Sequence, residues 1–264
     1  MSAPSTSKVN RSGKAAVVDC LLLSEIESAV KGRSLALMLY GSQARGSADD
    51  ASDVDVLQLV ARRPRSYRVG RVAVTAYTAS QLHHMAQSGG LFILHLRHEG
   101  IVISDDHGVL RRALDAYRPP ADYGILRDEF RSAALALAVD DETFVSHYKA
   151  LGRLGIYLIR SYYYLKRVES GSIDFDVDSA VSDVSDSELA RVVRMRRLES
   201  LTLEDSLTVR DQVLALFQIS RHRNSLESVA LELARRSPQA AMLVAQVISG
   251  ANSLNYAATP LPPL

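Results

Sequence analysis

Two aspartates, Asp53 and Asp55, are the side chains of this chain whose type and spacing most directly suggest chemistry. The apolar run at 54–60 predicts a strand, on which residues two apart face the same side. Two neighbouring carboxylates repel each other unless a cation lies between them, and Mg²⁺ prefers such oxygen ligands. The pair therefore predicts a divalent-metal site, although an Asp-x-Asp on its own is more often a polar turn.

A Gly-Ser pair, Gly41 and Ser42, follows another apolar run at 34–40, which predicts a buried strand. Glycine permits a tight turn and lets the backbone approach a ligand closely. Ser42 then offers a hydroxyl and an amide at the start of a short helix, where phosphates are commonly bound. The segment 37–60 thus predicts a phosphate cradle next to a metal site.

The order of these features is more specific than any one of them. The segment contains an apolar strand, Gly-Ser, Ala-Arg-Gly, Ser-Asp-x-Asp and a second apolar strand, with ten residues between Ser42 and Asp53. In this order it resembles the signature of the DNA polymerase β-like nucleotidyltransferase superfamily, and most of all the minimal and the kanamycin-type nucleotidyltransferases. The resemblance covers roughly residues 34–104 of the chain.

The resemblance implies a role for each residue of the signature. Gly41 and Ser42 would hold the β- and γ-phosphates of a nucleoside triphosphate, and Asp53 and Asp55 would be the catalytic residues that bind Mg²⁺. The cation would neutralise charge on the transferring α-phosphoryl group and on the departing pyrophosphate. Arg45 either contacts a phosphate or lies on the surface of the short helix.

The chain departs from this signature at one position. Full members carry a third carboxylate on the next core strand, which is predicted here at 71–77, and Ala73 occupies the matching position. Residues 56–98 contain no Asp or Glu at all, so the third carboxylate is unassigned. Two interpretations stay open: an enzyme, and a catalytically impaired module that keeps the nucleotide pocket. Weak or altered metal use is expected in either case.

The same acid-free stretch is rich in arginine. Five arginines occur within ten residues: Arg62, Arg63, Arg65, Arg68 and Arg71. A solvated loop is the usual explanation of such a charge run, but next to a nucleotide site it also suits the phosphates of an RNA. We therefore take four of them as candidates for acceptor binding: Arg62, Arg63, Arg65 and Arg68.

Together, the motif and the resemblance predict a Mg²⁺-dependent nucleotidyltransferase. It would transfer a nucleoside monophosphate from a triphosphate to a hydroxyl of a macromolecular acceptor, which is an RNA end or a protein side chain. Similar proteins often act in toxin–antitoxin or phage-defence pairs, which implies a protein partner. An antibiotic acceptor is a further alternative, but the arginines of the C-terminal half disfavour a polycationic aminoglycoside.

The elements that must position these residues follow from hydrophobic periodicity. We predict strands at 34–40, 54–60, 71–77 and 101–104 and helices at 15–31, 78–87 and about 91–98. Beyond residue 108 only helices are predicted, at 108–117, 124–139, 142–168, 186–198, 204–234 and 237–249. The tandem prolines Pro119 and Pro120 mark a domain boundary, because they cannot continue a helix.

The predicted fold class is therefore α+β. A nucleotidyltransferase domain at 15–118, with a small mixed β-sheet and flanking helices, precedes an all-α helical bundle at 121–252 that holds the acceptor or a partner. Residues 1–14 and 253–264 are expected to be flexible tails.

The composition agrees with a globular protein. The 264 residues include 31 Lys+Arg and 30 Asp+Glu, a net charge of +1, with 47% hydrophobic residues. These values argue against a disordered chain and against a generally basic nucleic-acid coat. The single cysteine, Cys20, is expected in the core. Because no apolar stretch is long enough to span a bilayer and residues 1–14 do not resemble a secretory signal, we expect a cytoplasmic protein that makes no membrane contact.

Overall fold

A computed structural model describes residues 7–9, 15–49, 52–182, 186–198, 200–222 and 224–249. The fold is α+β, as predicted from the sequence: a five-stranded mixed sheet with its helices is followed by a run of helices. The contacts divide the described residues into two compact units. The first ends at Pro120 and the second begins at Ala121.

The first unit is built on the five-stranded sheet. Its strands are β3 (Ala36–Tyr40), β4 (Val54–Val60), β5 (Tyr67–Val69), β6 (Val72–Thr78) and β7 (Ile101–Ser104), and they are preceded by a separate antiparallel pair, β1 (Ser7–Val9) and β2 (Ala15–Val17). The order across the sheet is β5-β6-β4-β3-β7. Strands β4 and β6 are parallel, and the other neighbours are antiparallel.

The helices of this unit are α1 (Cys20–Ala29), α2 (Gly41–Arg45), α3 (Ala79–Gln87), α4 (Leu91–Glu99) and α5 (Val109–Asp115). Local side chains explain where several of them begin and end. The carboxylate of Asp19 accepts a hydrogen bond from the first turn of α1, and a capping box of Thr78 and Gln81 starts α3. The short helix α2 ends at Gly46, which is in the left-handed conformation.

Both faces of the sheet are covered. On one face Val56 belongs to a hydrophobic cluster with Ile26 of α1. On the other face the ring of Tyr40 packs edge-on against Phe92 of α4, with 5.5 Å between the ring centroids. Because side chains alternate along a strand, Asp55 lies on the opposite face from Val56 and on the same face as Tyr40.

The second unit consists, over its described residues, of helices. They are α6 (Gly124–Ala134), α7 (Asp141–Glu169), α8 (Val177–Ser182), α9 (Ser187–Arg194), α10 (Leu203–Phe217), α11 (Leu226–Arg236) and α12 (Pro238–Ile248), with 3₁₀ turns at 135–137 and 195–197. The long helix α7 bends at His147, whose φ and ψ are −123° and 16°. It packs so closely on α10 that a Cβ added at Gly155 would collide with Val209. Within the described part of the chain, none of the helices combines the length and the apolar character needed to cross a membrane.

The predicted strands and the helices at 78–87 and 91–98 are confirmed to within about two residues. The helix predicted at 15–31 is wrong at its start, because residues 15–17 form β2 by pairing with β1. Cys20 is consequently the first residue of α1 and is exposed rather than buried. The helix predicted at 204–234 is in fact two helices, since Gln218 adopts the left-handed conformation and ends α10.

Besides β1 and β2, two short elements are not predicted from the sequence: β5, which lies among the arginines at 62–71, and α8, which lies between the helices predicted at 142–168 and 186–198. Residues 7–9, expected within a flexible tail, form β1. Residues 1–6, 10–14 and 253–264 of the expected tails lie outside the described residues.

Candidate active site

The turn after β3 meets the start of β4 because the two strands are antiparallel neighbours. Tyr40, the last residue of β3, lies directly opposite Asp55 on β4. Gly41 follows with a φ of +76°, which glycine adopts without strain. A Cβ at position 41 would lie 2.5 Å from Oδ2 of Asp55. From the sequence, the backbone at Gly41 is expected to approach a ligand closely. In the structure the group that this backbone approaches is the carboxylate of Asp55.

The chain between Gly41 and Asp53 is held by local hydrogen bonds. Ser42 lies in the first turn of α2, is half-buried, and its carbonyl accepts a hydrogen bond from the amide of Ser47 at 3.0 Å. Further along, the hydroxyl of Ser52 donates to the carboxylate of Asp49 at 2.6 Å and accepts from the Asp49 amide at 3.0 Å. This second turn leads directly into Asp53.

Asp53 precedes β4 and binds an arginine. Its carboxylate accepts two hydrogen bonds from the guanidinium of Arg68, at 2.6 and 3.0 Å, which is a bidentate pair. The hydrogen bond to Asp53, with a smaller contribution from the charge of Asp55, raises the pKa of Arg68. Both carboxylates therefore act on the same guanidinium. The side chains are 53% and 50% exposed, so the pair is worth at most about 1 kcal/mol.

Strand register explains how Arg68 reaches Asp53. Ala73 on β6 lies opposite Asp55 on β4 and also opposite Arg68 on β5. Residues directly opposite each other share a face of the sheet, so Arg68, Ala73 and Asp55 form a row across three strands. Ala73, which occupies the position of the third carboxylate in the resemblance, is thus beside Asp55 and contributes only a methyl group. Over the described residues, no group of three or more His, Cys, Asp or Glu is arranged to hold a metal ion.

Arg45 is engaged in a buried ion pair. Its Nη1 atom is 2.7 Å from Oε2 of Glu99 on α4, and the two side chains are only 15% and 7% exposed. Nε2 of His95 lies 3.0 Å from the same oxygen. Burial alone would raise the pKa of Glu99, but the hydrogen bond and charge of His95, together with Arg45, lower it to about 2. Arg45 thus ties α2 to α4, and its phosphate contact stays a prediction.

Tyr40 connects this ion-pair network to the sheet. The edge of its ring meets His95, with 5.8 Å between the ring centroids, and its hydroxyl is 3.0 Å from Oγ1 of Thr75 on β6. Burial and, after it, the charge of Asp55 raise the pKa of Tyr40 well above its ordinary value. The phenol therefore stays protonated at neutral pH. Sequence reasoning missed this network, although the i,i+4 spacing of His95 and Glu99 on a predicted helix is a signal for it.

The register separates the arginines of the basic stretch. Arg68 and Arg71 lie at the Asp53 end of the sheet, where the guanidinium of Arg71 pairs with Glu25 of α1 at 2.8 Å. The other three follow the last residue of β4, five residues beyond Asp55, or about 17 Å along the strand. They are exposed and form no ion pair with another described residue: Arg62, Arg63 and Arg65. The four predicted acceptor-binding residues thus lie at two opposite ends of β4.

No protein-family model matches the chain, and no curated protein matches it. Among solved structures, the chain is similar to a nucleotidyltransferase-like protein from Exiguobacterium sibiricum, with 15% sequence identity over 75% of this chain and 72% of that chain and a TM-score of 0.25. This TM-score is too low to support an inference about function, so the function proposed below is argued from the residues of this chain.

Proposed function

We propose that the protein is a nucleotidyltransferase that transfers a nucleoside monophosphate from a nucleoside triphosphate to a hydroxyl of a macromolecular acceptor. One observation carries the proposal: the β3–β4 register presses the Gly41 turn against the Asp55 carboxylate. A candidate phosphate-binding turn and a pair of carboxylates are thereby neighbours. The resemblance of segment 37–60 to the nucleotidyltransferase signature implies the same arrangement.

The two carboxylates suit one divalent cation. Asp53 and Asp55 are two residues apart at the start of β4, and their oxygens are the ligands that Mg²⁺ prefers. Asp53 is half-exposed, so a cation from solvent has access to it. When bound there, Mg²⁺ would neutralise negative charge on the α-phosphoryl group and the pyrophosphate. Position 73 adds no ligand, so we assign the cation to these two residues.

The residues of the chain bind and orient the substrate. The hydroxyl and main-chain amide of Ser42 would donate to the β- and γ-phosphates beside Gly41, which fixes the α-phosphorus for attack. The acceptor oxygen forms a bond to the α-phosphorus while the bond to the bridging oxygen breaks. Pyrophosphate leaves, and the hydroxyl proton passes to solvent. Tyr40 and the Arg45–Glu99 pair hold the turn in place without reacting.

The exposed arginines favour RNA over a protein as the acceptor. The distance of about 17 Å from Asp55 to the end of β4 corresponds to about five stacked nucleotides at 3.4 Å each. An RNA with its 3′ hydroxyl near Asp55 would bring backbone phosphates to three cationic side chains: Arg62, Arg63 and Arg65. Membership of a toxin–antitoxin or defence pair, with a protein partner, rests on the resemblance alone.

A second candidate function is a nucleotide-binding module without catalysis. Ala73 beside Asp55 and the ion pair between Arg68 and Asp53 favour it, because both reduce the capacity of the site for divalent cations. Such a module would still bind a triphosphate at Gly41 and Ser42. It would report the nucleotide to a partner instead of transferring it.

A labelling assay separates the two candidates. The full chain is incubated with Mg²⁺, each of the four α-³²P-labelled triphosphates, and total RNA or total protein. We expect label on an acceptor, loss of labelling in Asp55→Asn, and normal labelling in Asp106→Asn, which changes an exposed aspartate of the same unit. Nucleotide binding without labelling would favour the module, and absence of both would refute the proposed function.

A further inference from the structure

Arg68 lies opposite Ala73, the position at which the sequence lacks a carboxylate. The row across β5, β6 and β4 has Ala73 in its middle. Since the side chain of alanine ends at a methyl group, the longer side chain of Arg68 passes it. The guanidinium then reaches Asp53 with two hydrogen bonds, at 2.6 and 3.0 Å. A cationic group of the protein itself is thus placed on the carboxylate pair.

Ala73 and Arg68 both make the site less negative than a third carboxylate would make it. A carboxylate at position 73 would add a negative charge and a ligand for a second cation, whereas Ala73 supplies neither. Arg68, on β5, adds a positive charge. A guanidinium binds phosphate through the same fork with which it binds a carboxylate. Because the pair with Asp53 is half-exposed and therefore weak, Arg68 exchanges one anion for the other at little cost.

We propose that Arg68 is a substrate-binding residue, which replaces the third carboxylate together with the cation that such a carboxylate would hold. The site then takes one divalent cation, on Asp53 and Asp55, and the guanidinium moves from Asp53 to the phosphates of the bound triphosphate. The proposal rests on the nucleotide binding proposed above. It adds the number of cations and the residue that supplies the remaining positive charge, and it holds for an enzyme and for a binding module.

The test measures binding instead of turnover. The full chain is titrated with Mn²⁺ in the presence of α,β-methylene analogues of the four triphosphates. Bound Mn²⁺ is counted by electron paramagnetic resonance, and analogue affinity is measured by calorimetry. The variants are Arg68→Gln, Ala73→Asp with Arg68→Gln, and Arg71→Gln. The last is a matched control, because it breaks a bidentate pair with Glu25 at the same end of the sheet.

We expect the wild type to bind one Mn²⁺ per chain together with the analogue. Arg68→Gln should keep that Mn²⁺ and bind the analogue about 10- to 100-fold more weakly, the change typical for loss of a charged hydrogen-bonded contact. Arg71→Gln should stay within about twofold of the wild type, since its pair is exposed. The double variant should bind two Mn²⁺ and recover analogue affinity.

Two results would overturn the role of Arg68: two Mn²⁺ on the wild type, or unchanged analogue affinity in Arg68→Gln. A purely structural role of the Arg68–Asp53 pair would leave the double variant as weak as Arg68→Gln, which also contradicts the proposal. If the wild type binds no analogue, the proposed function fails and the role of Arg68 fails with it. Circular dichroism of each variant confirms that the chain is folded.

Discussion

Replacement of Glu99 by glutamine tests the buried network that holds α2 against α4. The substitution keeps the shape of the side chain and removes the charge that Arg45 and His95 face. The pKa of Glu99 falls from its ordinary 4.5 to about 2 in the folded protein, and one pKa unit corresponds to about 1.4 kcal/mol. The carboxylate thus contributes about 3 kcal/mol to the free energy of unfolding at neutral pH, and we expect Glu99→Gln to lose a similar amount.

The same pKa shift gives this loss a pH dependence of definite sign. A carboxyl whose pKa is lowered by folding contributes fully above its unfolded pKa, and the contribution disappears as the pH falls toward the folded pKa. The difference between the wild type and Glu99→Gln should therefore shrink from about 3 kcal/mol at pH 7 to about 2 at pH 3.5 and about 1 at pH 2.5. Other carboxyl groups titrate in both proteins, so their contributions cancel in the difference.

Urea denaturation followed by circular dichroism measures these free energies. Because the two units need not unfold together, hydrogen exchange in peptides from α2 and α4 locates the effect. Glu25→Gln is the matched control in the same unit, since it breaks the exposed pair with Arg71 and should cost less than about 1 kcal/mol. Equal losses in the two variants, or a loss in Glu99→Gln that stays near about 3 kcal/mol down to pH 2.5, would refute the reasoning.

Two further substitutions probe the turn and the arginines. Gly41→Ala should lower the free energy of unfolding by about 1–3 kcal/mol and abolish binding of the triphosphate analogues, because its Cβ would meet Oδ2 of Asp55 and its φ is positive. Urea denaturation and calorimetry measure the two effects, and wild-type affinity for the analogues would contradict the prediction. We expect weaker binding of a short single-stranded RNA when glutamine replaces Arg62, Arg63 and Arg65 together. The slope of the logarithm of the binding constant against the logarithm of the salt concentration should decrease by about 2, as measured by fluorescence anisotropy. An unchanged slope would show that these arginines do not bind RNA.

Local sequence patterns predicted the elements around the site well. The alternating run at 54–60 coincides with β4, and the helix predicted at 78–87 coincides with α3 to within one residue. Patterns failed where no local signal exists. The three residues of β5 are too few to show alternation, and Gln218 ends α10 in a left-handed conformation that a non-glycine residue rarely signals.

The sequence by itself determined which residues are equipped for chemistry. Gly41 and Ser42 after one strand, and Asp53 and Asp55 at the start of the next, are recognisable because strand periodicity and glycine conformation are local properties. The missing acid at Ala73 is equally visible in the sequence alone.

Only the tertiary structure decided which partner each charged residue has. Arg68 binds Asp53 across 15 positions of sequence, and Arg45 binds Glu99 across 54. The first pair depends on the register of three strands and the second on the packing of two helices. Register and packing come from burial of apolar faces over the whole unit. For that reason the basic stretch, uniform in sequence, divides into arginines that hold carboxylates and arginines that face solvent.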